Sequence, residues 1–95
     1  MSQHAAAHWL VTYDISAKRA WAQVYKRLKK AGTPIQYSMF FVPASAAQMA
    51  RLMAELAPLI DAQTDDVRAY RLPPQGWKAS LGTPMIAADL WLQGP

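Results

Sequence analysis

From His8 to Ile15 the chain is largely apolar on both faces of an extended strand. Trp9, Val11 and Tyr13 point to one side; Leu10, Thr12 and Asp14 point to the other. Such a strand needs cover above and below and a neighbour at each edge, which places it in the middle of a sheet. It ends in an acid, Asp14, and a strongly basic segment follows after Ser16, a residue suited to capping a helix. A carboxylate at a strand end can hold a metal ion, and a basic helix beside it can hold phosphate.

The rest of the chain alternates between the two periodicities. Ala17, Trp21, Val24, Leu28 and Ala31 recur at steps of three and four, so residues 17–31 read as an amphipathic helix stopped by Gly32 and Thr33-Pro34. Ile35 to Val42 is a β region, as one bent strand or two short ones, which Pro43 is expected to end. Ser45 and Gln48 have the spacing of a capping box. Met49, Leu52, Met53, Leu56, Leu59 and Ile60 give a second helix its apolar face, and Pro58 should break it near Ala57. A polar turn over 61–66 leads to a strand from Val67 to Leu72. Beyond the Pro73-Pro74-Gln75-Gly76 loop, Met85 to Leu92 is a candidate last strand.

This order predicts an α+β fold: a ferredoxin-like βαββαβ sandwich with an extra C-terminal strand, in one domain over residues 1–95. Residues 1–7 read as a tail or an extended approach to the first strand. Residues 77–95 read as a C-terminal extension able to cross to a partner subunit. Two helices cover one sheet face. The other face is expected to be buried in a homodimer, since a chain of 95 residues has a modest core.

Absences narrow the function. With no cysteine there is no disulfide framework, thiolate zinc site or cysteine nucleophile. No stretch approaches the roughly 18–20 apolar residues of a membrane span, and the N-terminus does not read as a secretory signal. The expectation is a cytoplasmic protein without a membrane partner. No glycine-rich phosphate loop, nucleophile elbow or histidine-based metal motif is present.

The net charge of +4 is unevenly placed. Residues 1–32 carry Lys18, Arg19, Lys26, Arg27, Lys29 and Lys30 against Asp14 alone. Residues 33–95 carry four basic residues against five acids. An excess gathered in the first third suits a phosphate backbone, although it also suits a helix face that merely keeps the chain soluble.

Tyr13-Asp14-Ile15-Ser16, the basic helix to Lys30, Gln36-Tyr37-Ser38-Met39-Phe40, Leu59-Ile60-Asp61 and Asp65-Asp66-Val67-Arg68-Ala69-Tyr70-Arg71-Leu72 occur in that order. Together they resemble the small CRISPR-associated adaptation nuclease family, the second of the two core proteins that capture new spacers. The resemblance spans about residues 8–73. It implies a ferredoxin-like homodimer that binds duplex DNA and pairs with the integrase subunit. It further implies that Asp14 meets its twin across the dimer axis around a divalent ion, magnesium or manganese. Members of the family are described as metal-dependent endonucleases on single-stranded RNA or double-stranded DNA, and in some systems as scaffolds whose nuclease site is dispensable. The chain departs from the family in its short apolar Phe41-Val42-Pro43-Ala44 segment and its alanine-rich N-terminus.

The candidate residues each have a plainer reading. Asp14 is the candidate metal ligand and catalytic residue. It has no second acid nearby in the chain, a gap that a symmetric dimer would fill; alternatively it caps the following turn. Ser38 stands at a family motif position, where it would position a phosphate or a water. Tyr13 and Phe40 would support the site or the dimer, or simply pack in the core. Lys18 and Arg19 oppose the dipole of the helix they begin, so stability does not ask for them there. Lys26, Arg27, Lys29 and Lys30 stabilise a helix C-terminus by their charge alone, and as DNA contacts they would read backbone and not sequence. His4 and His8 are not read as ligands. Trp9, Trp21, Trp77 and Trp91 are most simply packing residues, and an exposed one can stack on a base. The alternatives are a non-catalytic DNA scaffold working through the basic helix, a toxin-type endoribonuclease of the same fold, and an amino-acid-binding regulatory domain.

Overall fold

Residues 6–36 and 38–74 are described by a computed structural model of the chain. β1 (Ala6–Asp14) is followed by α1 (Lys18–Ala31), β2 (Thr33–Gln36), β3 (Met39–Ser45), α2 (Ala46–Leu56), a single 3-10 turn (Ala57–Leu59) and β4 (Asp66–Arg71). The sheet runs β2-β3-β1-β4, and each neighbouring pair is antiparallel. This is the βαββαβ arrangement expected of a ferredoxin-like sandwich, with β1 in the interior. Tyr37, His4, Trp77, Trp91, the candidate strand Met85 to Leu92 and the 77–95 extension lie outside the described residues.

Alternation along β1 sorts the core. On one face Val11 and Tyr13 pack with Phe40, Val42 and Ala44 of β3, and both helices close over them through Val24, Leu28, Met49 and Leu56. Each such buried aliphatic side chain contributes about 1.5–3 kcal/mol. On the other face Leu10, Met39 and Leu72 form a second cluster with Ile35, Phe41 and Tyr70. Among the described residues no helical side chain belongs to that cluster. No described helix is long and apolar enough to cross a membrane.

The capping box forms as its spacing predicts. The Ser45 hydroxyl accepts from the Gln48 N–H at 3.1 Å, and the Gln48 side chain accepts from the Ser45 N–H at 2.9 Å. α2 ends at Leu56, and Pro58 sits in the tighter turn that follows.

Several local expectations are corrected. Ala6 and Ala7, read as part of a tail or an extended approach, belong to β1 and pair with Ser45 and Ala44. The Trp9 indole N–H donates to the Ala44 carbonyl at 2.8 Å and fastens this end of the sheet. Pro43 does not end β3; it lies opposite His8 and the strand continues to Ser45. β2 pairs only as far as Phe41, so Pro43 falls where β3 has one described neighbour and a missing donor is tolerated. Ser16 does not cap α1. The N-cap is Ala17, which makes no side-chain capping bond, and the Ser16 N–H donates instead to Asp65 Oδ1 at 3.0 Å.

Gly32 stops α1, but not in the left-handed conformation usual for such a residue. Its backbone is extended, with φ −163° and ψ −157°. The requirement is one of space: a Cβ here would lie 2.0 Å from the Phe41 carbonyl oxygen.

Candidate active site

The end of β1, the turn between β2 and β3 and the start of β4 meet at one corner of the sheet. They enclose an open cleft of about 440 Å³ lined by residues that include Asp14, Gln36, Ser38, Asp66, Arg68 and Tyr70. Strand alternation turns Asp14 away from the helical layer, in step with Leu10 and Thr12. The Tyr13 N–H donates to the Ser38 carbonyl at 3.0 Å, which holds the β2–β3 turn against the end of β1.

The β1–β4 register sets Asp14 directly opposite Asp66. Directly opposed residues have Cβ atoms about 4.5–5.5 Å apart, and like charges there are destabilising. The Arg68 guanidinium offsets part of this, with Nε 2.7 Å from Asp66 Oδ2. Its contact with Tyr70, and then Asp66, holds the Arg68 pKa above its usual value. Desolvation, followed by the neighbouring Tyr25, raises the Tyr13 phenol. Two facing carboxylates, a hydroxyl and a guanidinium thus share one exposed corner. The expectation that Asp14 lacks a nearby second acid is overturned. Residues 14 and 66 are far apart in sequence, and only the strand register brings them together.

Asp65, beside this pair, clasps the two loops that lead to it. Its Oδ1 accepts from the Ser16 N–H at 3.0 Å and from the Thr64 hydroxyl at 3.2 Å; its Oδ2 accepts from the Asp61 N–H at 3.0 Å. These bonds, led by that from Asp61 and then that from Ser16, hold the carboxyl below its usual pKa.

The other expected site residues are distributed differently. Ser38 lines the cleft, and Tyr13 lines it while packing inward on Phe40. Phe40 is fully buried on the helical side, edge-on to Tyr25, and does not line the cleft. Lys18 and Arg19 are exposed in the first turn of α1 and are not among the lining residues. Lys26, Arg27, Lys29 and Lys30 lie farther along α1, in the layer across the sheet. Arg27 stands 3.9 Å from Glu55, and the Lys29 ammonium 6.0 Å from the centre of the Tyr25 ring. Asp66 and Arg68, which the sequence reading does not single out as candidates, line the cleft with Asp14. The available signal was the alternation Asp66, Arg68, Tyr70 on one strand face.

A hard divalent cation fits the donors of this corner. Magnesium takes oxygen ligands, often only one or two carboxylates, and keeps water for its remaining positions. Asp14 and Asp66 supply two carboxylates, and no group of three or more metal-ligating side chains occurs among the described residues. The cation would therefore keep waters or draw on a second subunit.

A model of the family CRISPR associated protein Cas2 matches residues 7–79. A CRISPR-associated endoribonuclease Cas2 of Nitrosomonas europaea is 32% identical over 94 residues, covering 99% of this chain and 90% of its own. One of Thermodesulfovibrio yellowstonii is 39% identical over 74 residues, covering 78% and 81%. The crystal structure of Streptococcus pyogenes Cas2 has a TM-score of 0.68 to this fold at 27% identity, covering 76% of this chain and 92% of that one.

Proposed function

The chain belongs to the CRISPR associated protein Cas2 family, and from that membership we propose that it is an endonuclease of CRISPR adaptation, cutting phosphodiester bonds at the cleft of Asp14. The observation that carries the reading is the pairing of Asp14 with Asp66 beside Ser38 and Arg68. Stability does not ask for two opposed carboxylates, whereas a cation-assisted phosphate reaction does. Asp14 and Asp66 would hold magnesium or manganese. When bound, that ion supplies positive charge to the phosphate and lowers the cost of ionising water. Arg68 meets charge developing on the phosphate oxygens, and the Ser38 hydroxyl hydrogen-bonds one of them or the attacking water. Lys18 and Arg19 meet flanking phosphates beyond the β1–α1 loop.

The helix-free face is the surface for homodimerisation. Its apolar cluster of Leu10, Met39 and Leu72 would be covered there, and two copies of Asp14 would approach across the axis. Duplex DNA and the integrase subunit are the proposed partners, with single-stranded RNA as a further substrate.

A second reading, a non-catalytic DNA scaffold, has its own support. α1 carries six basic residues and no acid, in the layer across the sheet from the cleft. One experiment separates the two. Wild type and Asp14→Asn are incubated with single-stranded RNA and duplex DNA, with and without magnesium or manganese. Cutting that needs the metal and vanishes in the variant is expected. Equal, salt-sensitive binding by both proteins without cutting would replace the nuclease by the scaffold.

A further inference from the structure

Trp21 is out of keeping with the rest of the described chain. It is 39% exposed, the one exposed large hydrophobic side chain among the described residues. It packs only at the border of the core, tilted against buried Tyr13 with ring centroids 6.3 Å apart, whereas Val24 and Leu28 of the same helix are completely buried. Its ring lies nearly parallel to Tyr25, with centroids 5.0 Å apart and planes at 16°. Tyr25 in turn stands edge-on to buried Phe40 at 5.3 Å and 70°. The outer ring is thus seated on an aromatic stack rooted in the core, which leaves little ordering to be done when a ligand arrives.

Three further observations indicate what that ligand is. Lys18, Trp21, Tyr25 and Lys29 fall at steps of three, four and four, which is one stripe of α1 with a cation at each end. At a rise of about 1.5 Å per residue the stripe is about 16 Å long, enough for several nucleotides. A cleft of about 340 Å³ opens beside the stack, lined by Trp21, Tyr25, Pro34, Ile35 and Gln36. Gln36 also lines the cleft of Asp14, so the two clefts share a wall. An apolar ring surface flanked by positive charge matches a base between two phosphates. A neutral apolar partner would have no use for the lysines.

We propose that Trp21 and Tyr25 form a stacking shelf for one unpaired nucleobase of single-stranded RNA or DNA, with Lys18 and Lys29 on the adjoining phosphates and Gln36 at the base edge. A base paired inside a duplex has both faces covered by its neighbours, so the shelf favours single strands over the body of a duplex, and stacking alone makes it tolerant of sequence. The shelf stands on its own geometry; only its place along the same strand as a cleaved phosphate rests on the nuclease reading.

The test is binding without metal, which removes cleavage from the measurement. Labelled eight-residue oligoadenylates in ribose and deoxyribose form, abasic strands of the same length and a blunt duplex are titrated against wild type, Trp21→Ala and Trp21→Phe. Loss of one stacked base weakens binding by about 5- to 150-fold. Trp21→Ala is expected to show that loss on the oligoadenylates while leaving the abasic strand and the duplex unchanged. Trp21→Phe, which keeps a ring and the fold, is expected to lose less. A loss confined to one sugar type supports the shelf and assigns it to that nucleic acid. Equal loss on duplex and single strand, no loss on either single strand, or an abasic strand bound as tightly as oligoadenylate by wild type would each overturn it. So would a change of oligomeric state in Trp21→Ala with single-strand binding intact, which would give the ring to a second copy. If neither wild type nor Asp14→Asn cuts, the nuclease reading falls and the shelf does not; if Asp14→Asn cuts as well as wild type, only the placement of cleavage at Asp14 falls.

Discussion

Gly32→Ala should destabilise this protein more than most helix-terminal substitutions. The new Cβ would meet the Phe41 carbonyl oxygen at 2.0 Å, the Phe41 carbonyl carbon at 2.9 Å and Val42 Cγ2 at 2.9 Å. The first two are backbone atoms of a strand paired on both sides, to Leu10 of β1 and Thr33 of β2, so they cannot move without disturbing two ladders. Overpacking of this kind costs typically about 1–3 kcal/mol, and a backbone clash belongs at the upper end. Alanine also restricts the unfolded chain, which returns about 0.4–1 kcal/mol. The remainder is about 2 kcal/mol, or a Tm lowered by about 8–16 °C in a domain of this size. Thermal melts followed by circular dichroism, with a urea titration to confirm an unchanged slope, would measure it. The reasoning also orders two controls. Gly32→Asn should be no milder than Gly32→Ala, since the backbone is extended and asparagine's tolerance of left-handed geometry is of no use. Adding Val42→Ala to Gly32→Ala should not restore stability, because the carbonyl contact persists. A Tm for Gly32→Ala within about 4 °C of wild type would refute the steric account. So would a well-folded Gly32→Asn beside a damaged Gly32→Ala.

Two further predictions concern the loops and caps. Ser45→Ala removes one arm of the capping box and should cost about 1 kcal/mol, read as a Tm lowered by about 4–8 °C; Ser45→Thr, which keeps the accepting hydroxyl, should recover most of that loss. Asp65 has a folded pKa below its ordinary value of 3.8. Its contribution is therefore present in full above that value and is lost as pH falls from there through the folded pKa. Melts of wild type and Asp65→Asn should differ at neutral pH and converge in acid, and a gap that stays constant down to pH 2 would contradict the clasp.

What the sequence disclosed depended on the range of the interaction. The alternation of Trp9, Val11 and Tyr13 with Leu10 and Thr12 was legible because a strand turns each side chain by position alone. The Ser45–Gln48 box and the break at Pro58 were legible because their partners lie within one helical turn. Asp66 was not legible as the neighbour of Asp14, because the register of β1 on β4 depends on the packing of the whole sheet. Ser16 misled for the same reason: its amide is taken by Asp65, from the far side of the chain. Gly32 was recognised as a stop for α1, but the carbonyl that excludes a side chain there belongs to β3.

The interior place of β1 has a consequence for how the chain is made. β1 is the earliest described segment to leave the ribosome, yet its two edges belong to Met39–Ser45 and to Asp66–Arg71. The nascent strand therefore carries two bare edges until β3 arrives, and one until β4 is complete. Pairing over such separations is slow, and an uncovered apolar strand is a template for other chains. A chain stalled before Asp66 would present Leu10, Thr12 and Asp14 on a strand with one side unpaired. Aggregation during synthesis should accordingly rise with any translational pause between Ser45 and Asp66, and co-expression of a chaperone that shields extended segments should relieve it.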